Sequence, residues 1–239
     1  LMDRAGNPMA APFARTFTVT NAPGFQIEAR GNDIAGGAGY FTPAPGAGSD
    51  GTFSFAGSWG TASGPHYPAG IYLEGNTNLH VAVPNYYADN ISILTNDGRG
   101  IFQTLTNVAT GNGPVAVAVA RLDGDTNADL AVANYSANTV AIVLAGGGGF
   151  QVVTNLTGFS TPYQLAAGDF NGDGKTDLAV PNYNGGNVRV VLGNGDGTFQ
   201  AGVNYPTPGN PMHAAIGDLN GDAVPDLADR KSTRLNSSH

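Results

Sequence analysis

The sequence predicts an all-β protein made of repeated units, and three observations support this fold class. Its 239 residues contain many short β-branched stretches bounded by Gly, Asn or Asp, which are typical of strands joined by tight turns. No window shows the apolar period of about 3.6 residues that marks an amphipathic helix. The third observation is internal repetition, because the same landmark residues return every 48 or 49 positions.

Three series of landmarks share this spacing. A phenylalanine preceded two positions earlier by glycine forms the first, a proline forms the second, and the residue that opens an apolar run such as DLAV forms the third. In chain order they are Phe53, Phe102, Phe150 and Phe199; Pro65, Pro114, Pro162 and Pro211; and His80, Asp129, Asp177 and Asp226. Three series in one register indicate a repeat architecture, in which each unit packs on its neighbours.

Each unit contains four predicted strands. Turn sequences such as NYSAN and AGGGG separate them, since Gly and Asn tolerate the backbone of tight hairpins. In the second unit the strands are predicted at Val115–Ala120, Leu130–Asn134, Thr139–Leu144 and Phe150–Thr154. Four strands per repeat is the pattern of a β-propeller blade, so we expect an incomplete β-propeller over residues 53–228, with four-stranded blades of 48–49 residues. A β-solenoid is the alternative, although its coils are usually shorter.

Composition narrows the classes of function. Asp and Glu number 18 against 10 Lys and Arg, and the formal net charge is −8. This balance disfavours nucleic acid and anionic membranes as partners. The absence of cysteine excludes disulfides, zinc–thiolate sites and a thiol nucleophile. No apolar run approaches the roughly 18 residues of a membrane span.

An acidic loop in the third unit predicts a metal site. The stretch GDFNGDGKTDLAV (Gly168–Val180) places oxygen-bearing side chains at alternate positions, with Gly174 at the sharp turn. Carboxylate and amide oxygens without His or Cys favour calcium over zinc or copper. A turn rich in Asp and Asn without metal is the alternative. The candidate ligands are Asp169, Asn171, Asp173 and Asp177, with Lys175 offering its backbone carbonyl.

The other units repeat this loop with changes at some of its positions. In GDLNGDAVPDLA the candidate ligands are Asp218, Asn220, Asp222 and Asp226, with Val224 offering a carbonyl. In ARLDGDTNADLAV they are Asp123, Asp125, Asn127 and Asp129, and Arg121 takes the first position. In the first unit Tyr72 and His80 occupy the two end positions, which leaves Glu74 and Asn76. We expect that first loop to be a metal-free turn.

The third unit, Gly168–Phe199, resembles an FG-GAP/VCBS repeat, the blade type of integrin-α-like propellers. The resemblance extends from about Phe53 to Ala228. It implies a calcium-stabilised propeller on a secreted or cell-surface bacterial protein, which serves adhesion or binds an extracellular protein or carbohydrate ligand. Closing a ring of this family takes roughly six to eight blades, more than this chain holds.

The ends of the chain fall outside the repeats. Leu1–Val19 resembles the last strands of a bacterial Ig-like domain, assigned to residues 1–20, and residues 21–52 are Gly/Pro-rich and predict a linker or irregular segment. Residues 229–239, DRKSTRLNSSH, resemble translated sequencing adapter and are excluded from fold reasoning. The chain opens at Leu1 without a leader, so we expect any export signal to lie upstream.

The sequence favours a function without catalysis. It has no H-E-x-x-H, G-x-S-x-G or P-loop motif. Tyr86, Tyr135 and Tyr183 recur in register, which favours a role in blade packing or at the rim over a dedicated site. The hypothesis is a calcium-binding propeller segment for adhesion or ligand binding; the alternative is a non-catalytic propeller domain of a larger extracellular enzyme that acts on polysaccharide.

Overall fold

A computed structural model describes residues 37–43, 53–73, 75–147, 149–219 and 225–231. Within these residues the secondary structure consists of sixteen strands and one short 3₁₀ turn, Tyr86–Ala88, without an α-helix. None of the described segments is a helix of the length and apolarity that crossing a bilayer requires. The expected all-β class is confirmed.

Three antiparallel sheets of four strands form the blades. Blade 1 consists of β3 (Ala69–Tyr72), β4 (Leu79–Asn85), β5 (Asn90–Asn96) and β6 (Phe102–Ala109). Blade 2 consists of β7 (Pro114–Ala120), β8 (Asp129–Asn134), β9 (Thr139–Gly146) and β10 (Gly149–Leu156). Blade 3 consists of β11 (Ala166–Gly168), β12 (Asp177–Asn182), β13 (Asn187–Val191) and β14 (Val203–Pro206).

Two pairs of strands flank the blades. β1 (Gly37–Pro43) pairs with β2 (Phe53–Gly60), and β15 (Pro211–Gly217) pairs with β16 (Asp226–Lys231). The second pair corresponds to the first two strands of a fourth blade, because it begins at the proline landmark and its second strand begins at Asp226. The prediction of an incomplete propeller with four-stranded blades is therefore confirmed.

The repeat landmarks mark strand boundaries. In blade 2 the predicted strands are reproduced with differences of one or two residues at their ends. Two segments differ from expectation in their backbone pairing. β1 lies within residues 21–52, where a linker or irregular segment is predicted, and β16 continues to Lys231, three residues into the tail set apart from the fold. The predicted Ig-like segment, residues 1–20, lies outside the described residues.

The blades pack face to face through their second strands, which are buried on both sides. Large side chains of one face contact the preceding unit, and alanines of the other face receive the large side chains of the following blade. Complete burial of each Val or Leu contributes about 1.5–3 kcal/mol. The large residues are Leu130, Val132, Leu178 and Val180, and the alanines that receive them are Ala82 and Ala131.

Equivalent hairpins join the second and third strands. Asp89, Asn138 and Gly186 close them with φ of 55°, 57° and 58°. Only Gly, Asn and Asp adopt this left-handed conformation readily, which explains their presence at one repeat position.

The two ends of the blades differ because neighbouring strands run antiparallel. Loops between the first and second strands, and between the third and fourth, lie at one end, which we call the acidic-loop end. The hairpins between second and third strands, and the segments that connect successive blades, lie at the opposite end, which we call the hairpin end.

Candidate metal centre

In blades 2 and 3 the last residue of the acidic loop is a buried carboxylate that ties the loop to the sheet. Asp129 and Asp177 are both 0% exposed. Asp129 accepts hydrogen bonds from the N–H groups of Leu122 (2.8 Å) and Ala145 (2.9 Å). Asp177 accepts them from Phe170 (2.9 Å) and Gly193 (2.8 Å). Each carboxylate therefore joins the start of its loop to the end of the third strand.

His80 occupies the same position in blade 1. Its Nδ1 accepts a hydrogen bond from the N–H of Asn96 at 2.8 Å. This bond is equivalent to one of the two that each carboxylate accepts in blades 2 and 3. An accepting Nδ1 places the proton of a neutral ring on Nε2, and this buried atom has no hydrogen-bond partner among the described residues. Burial lowers the pKa of His80 from its ordinary value, so the ring is neutral at pH 7.

The loop of blade 2 gathers three carboxylates. One oxygen each of Asp123, Asp125 and Asp129 lie within 4.8 Å of one another, and within the described part of the chain this is the one such group of acidic or histidine side chains. The loop is shaped by its own side chains, since Asp123 accepts the N–H of Asp125 at 2.9 Å and Asp125 accepts the N–H of Asn127 at 2.7 Å.

Electrostatics in this loop favour a cation. Burial raises the pKa of Asp129; the N–H groups of Ala145 and Leu122 oppose that rise, and the negative charges of Asp123 and Asp125 add to it. The pKa of Asp125 is lowered, chiefly by its hydrogen bonds from Asn127. Two of these carboxylates thus repel the charge on the third, and a positive ion among them would remove that repulsion.

Asn127 adds an unused oxygen beside the carboxylates. Its side-chain amide donates to Asp125 at 2.7 Å and to the carbonyl of Ala145 at 3.3 Å. Its Oδ1 is buried and has no hydrogen-bond partner among the described residues. A buried acceptor without a donor is costly unless another group satisfies it. The donor set, three carboxylates and an amide oxygen, fits a hard cation such as calcium.

The Asp169 loop has the most complete sequence pattern but a looser arrangement. Asp169 accepts N–H groups from Gly172 (2.8 Å) and Asp173 (3.1 Å) on Oδ1, and from Gly174 (2.7 Å) on Oδ2. These hydrogen bonds, that from Gly174 above all, lower the pKa of Asp169. Because Oδ2 accepts one N–H, it keeps a lone pair for another partner.

Hydrogen bonds also form within the middle of that loop. Asn171 accepts the N–H of Asp173 at 3.0 Å and donates its amide to Asp173 at 3.1 Å, and Asp173 accepts the N–H of Lys175 at 2.9 Å. The structure thus brings the predicted ligands into one exposed turn, with Asp177 buried beneath it. The assignment of calcium to this loop stays a prediction.

The remaining two loops are described in part. Asp226, which is half-buried, accepts the N–H of Leu219 at 2.8 Å, so one of the two hydrogen bonds recurs in the fourth unit. Of the other ligands predicted there, Asp218 is described, whereas Asn220, Asp222 and Val224 lie outside the described residues. In blade 1, Asn76 accepts the N–H of Asn78 at 2.9 Å, and Glu74 lies outside the described residues.

Sequence reasoning missed a second buried polar series at the hairpin end. Asn134 donates to the carbonyl of Thr110 at 2.9 Å, and Asn182 accepts the N–H of Ser160 at 3.2 Å. Each asparagine thereby ties the second strand of its blade to the segment that enters the same blade. The signal was visible as the asparagine that ends each of the runs HVAVPN, DLAVAN and DLAVPN, at Asn85, Asn134 and Asn182.

Comparisons with known proteins agree with this architecture. The model of the FG-GAP-like repeat family matches residues 121–180 and 174–228, which include the Asp123, Asp169 and Asp218 loops. A crystal structure of a protein from Lactobacillus plantarum is similar with a TM-score of 0.55 at 14% identity, covering 75% of this chain and 54% of that chain. The BBS1N structure in complex with ARL6DN has a TM-score of 0.49 at 16% identity, covering 67% and 49%.

The chain thus spans about half the length of these solved structures. No match was found among curated proteins. At 14% identity the likeness to the Lactobacillus plantarum protein shows the fold alone, and it agrees with the blades described above. The repeats at residues 121–228 carry the family pattern. Residues 121–228 of this chain are therefore similar to FG-GAP-like repeats, and the repeats fold as propeller-type blades.

Proposed function

We propose that this chain is a calcium-binding propeller segment of a secreted or cell-surface bacterial protein, with a role in adhesion or ligand binding. The observation that carries the proposal is the convergence of Asp123, Asp125 and Asp129 in a loop that the chain repeats. FG-GAP-like repeats at these loops support it.

In the Asp123 loop, calcium would be held by the three carboxylates and the amide oxygen of Asn127. The ion supplies positive charge that offsets their mutual repulsion. Asp129 keeps its backbone pairings to Leu122 and Ala145 and so fixes the loop against the sheet. Calcium binding at this point would therefore stabilise the blade rather than take part in a reaction.

The Asp169 and Asp218 loops are proposed as further calcium sites on the strength of their sequence pattern. Asp169, Asn171, Asp173 and Asp177, with the carbonyl of Lys175, would hold the ion in the first. The first loop of the chain, with His80 at its end, is proposed to remain a metal-free turn.

We further propose that the segment has no catalytic activity of its own. Among the described residues, carboxylates converge in the Asp123 loop and tyrosines converge at the opposite end, and neither group pairs a nucleophile with a base. The second candidate is a non-catalytic domain of a larger polysaccharide-acting enzyme. The complete reading frame distinguishes them: a catalytic motif outside this chain favours the second candidate, and further blades or Ig-like units favour the first.

Thermal melting tests the calcium proposal. The chelator-stripped chain should melt at a lower temperature than the same protein with millimolar calcium, and zinc should not replace calcium because the site offers neither thiolate nor imidazole. A ligand at about 100 times its Kd stabilises the native state by about 2.7 kcal/mol. Identical melting curves with chelator and with calcium would overturn the proposal.

A further inference from the structure

The hairpin end carries a group of tyrosine rings, which we call the tyrosine array. Rings from different blades contact one another: Tyr86 and Tyr135 have centroids 6.5 Å apart, and Tyr135 and Tyr163 6.0 Å apart. Tyr67 of the segment that enters blade 1 lies 6.1 Å from Tyr163 of the segment that enters blade 3. The members of the array are Tyr67, Tyr86, Tyr87, Tyr135, Tyr163 and Tyr183.

The rings are held at fixed angles and leave surface exposed. Tyr86 and Tyr87 meet edge to face at 89°, with centroids 5.1 Å apart, and Tyr135 meets Tyr163 at 83°. In such pairs the edge of one ring covers the face of the other, so faces remain for another partner. Tyr87 is 77% exposed and Tyr67 is 37% exposed. The array therefore combines half-buried rings with exposed ring surface.

Two glycines make room for these rings. A Cβ on Gly64 would lie 2.6 Å from Cδ2 of Tyr87, and a Cβ on Gly113 would lie 3.0 Å from Cε2 of Tyr86 and 2.5 Å from Oγ of Ser136. Both glycines also have positive φ, which disfavours other residues. The backbone thus approaches the tyrosines closely, and the ring positions are set before any ligand arrives.

Few charged side chains lie around the array; one is Arg189, whose guanidinium lies 5.7 Å from the ring centroid of Phe159 and donates to Asn204 at 3.0 Å. The turns at 62–64, 110–113, 135–138, 158–161, 183–186 and 207–210 contain no Asp, Glu, Lys or Arg. Asp89 is the charged residue in the remaining hairpin, and its carboxylate accepts the N–H of Gly113 at 2.9 Å. Burial lowers the pKa of His66, whose ring lies 5.3 Å from Tyr86, so this ring is neutral at pH 7. The acidic-loop end, by contrast, carries the clustered carboxylates.

We propose that the tyrosine array binds a neutral carbohydrate. Aromatic rings pack against the C–H faces of a sugar ring, and uncharged hydroxyl and amide groups bond its hydroxyls; Ser136, whose Oγ lies 3.0 Å from the hydroxyl of Tyr86, is one such group. Nucleic acid would also stack on tyrosine, but it requires cationic side chains for its phosphates, and these turns hold none. The inference rests on the proposed ligand-binding function and assigns it a face and a ligand class.

Affinity electrophoresis of the whole chain in calcium buffer tests the inference. The probes are the neutral polysaccharides dextran, laminarin, mannan and galactan, with the acidic polymer alginate as a contrast. We expect at least one neutral polymer to retard the wild type and alginate not to. Tyr87→Ala and Tyr67→Ala should each weaken that binding about tenfold, the equivalent of about 1.4 kcal/mol.

Tyr72→Ala is the matched control, because Tyr72 is 60% exposed at the acidic-loop end. It should bind the neutral polymer as the wild type does. The inference is overturned when no neutral polymer retards the chain, when only alginate does, or when the array variants and the control bind equally. Calcium-dependent melting, recorded on the same samples, separates failure of this inference from failure of the proposed calcium function.

Discussion

Asp129 Oδ1 accepts a hydrogen bond from the N–H of Ala145 at 2.9 Å and thereby joins the start of β8 to the end of β9. Asp177 makes the same bond to Gly193 in blade 3, at 2.8 Å. In blade 1, His80 Nδ1 accepts the equivalent hydrogen bond from the N–H of Asn96. The residue that closes each acidic loop thus has a structural role in the sheet, whether or not the loop holds a cation.

Replacing Asp177 should therefore destabilise blade 3 even without calcium. Asp177→Ala removes the acceptor of the buried N–H of Gly193 and of the part-buried N–H of Phe170, and hydrogen bonds to a charged group contribute about 1.5–3 kcal/mol each. We expect a loss of about 3 kcal/mol or more in the free energy of unfolding, measured by urea denaturation in chelator.

Asp177→Asn keeps the volume and one acceptor oxygen, so its loss should be smaller than that of Asp177→Ala. Asn171→Ala, an exposed change in the same loop, controls for loss of the turn itself. A loss below about 1 kcal/mol for Asp177→Ala would show that the carboxylate does not fix the loop to the sheet.

The protein should lose stability as the pH falls below 7, in part through His80. Its folded pKa lies below the unfolded value of about 6.5, so the unfolded chain binds the proton more readily. Stability is fully present above the unfolded pKa and decreases as the pH falls from there toward the folded pKa, with a limiting slope of about 1.4 kcal/mol per pH unit.

His80→Asn removes this titration and retains an oxygen that can accept the N–H of Asn96. Urea denaturation between pH 7.5 and 5 should give a flatter profile for the variant than for the wild type. His66 also has a lowered pKa and remains in both proteins, so the difference between their profiles isolates His80. Parallel profiles would contradict the assignment.

Asp123→Asn should have opposite effects with and without calcium. In chelator the change removes a negative charge that raises the pKa of Asp129, so the variant should be at least as stable as the wild type at pH 7. With calcium it loses a carboxylate ligand, so its calcium-induced rise in melting temperature should be smaller. Differential scanning calorimetry under both conditions gives the two comparisons.

The same change also alters the acid side of the stability profile in chelator. Because the folded pKa of Asp129 is raised, its contribution is fully present below the unfolded value of about 3.9 and is lost as the pH rises through the folded pKa. Asp123→Asn should reduce that loss. A variant that is less stable than wild type in chelator would show that Asp123 supports the loop by its charge rather than straining it.

The alanine face of the second strands should not accept larger residues. Ala131 is 1% exposed and packs in one cluster with Leu178 and Val180 of the next blade. Ala131→Leu should lower the free energy of unfolding by about 1–3 kcal/mol through overpacking. Val153→Leu, on the half-exposed outer strand β10, should cost little by the same urea measurement. Equal costs for both would contradict close packing between blades.

The sequence predicted the blades well because their signals are local. Phe150 lies at the second residue of β10 and Asp129 opens β8, so landmark spacing alone marks those strand boundaries. The loops were also found, but which one brings its carboxylates together was not predictable. Asp169 has the more complete pattern, whereas convergence at Asp123 depends on backbone turns that residue types do not specify.

The tyrosine array was foreseen only in part. The recurrence of Tyr86, Tyr135 and Tyr183 predicts a shared position, which a role in packing or at the rim explains. The contact of Tyr67 with Tyr163 depends on how blades pack around one another, and neither residue belongs to that recurring series. Contacts between distant units of a repeat protein therefore become visible only in the folded chain.

The most direct test of a calcium site in the Asp123 loop is titration of the chelator-stripped chain with calcium in an isothermal calorimeter, beside the double variant Asp123→Asn/Asp125→Asn. We expect the wild type to bind calcium and the variant to bind one ion fewer, with an unchanged far-UV spectrum. A variant that binds the same number of ions with the same affinity would contradict a calcium site in the Asp123 loop.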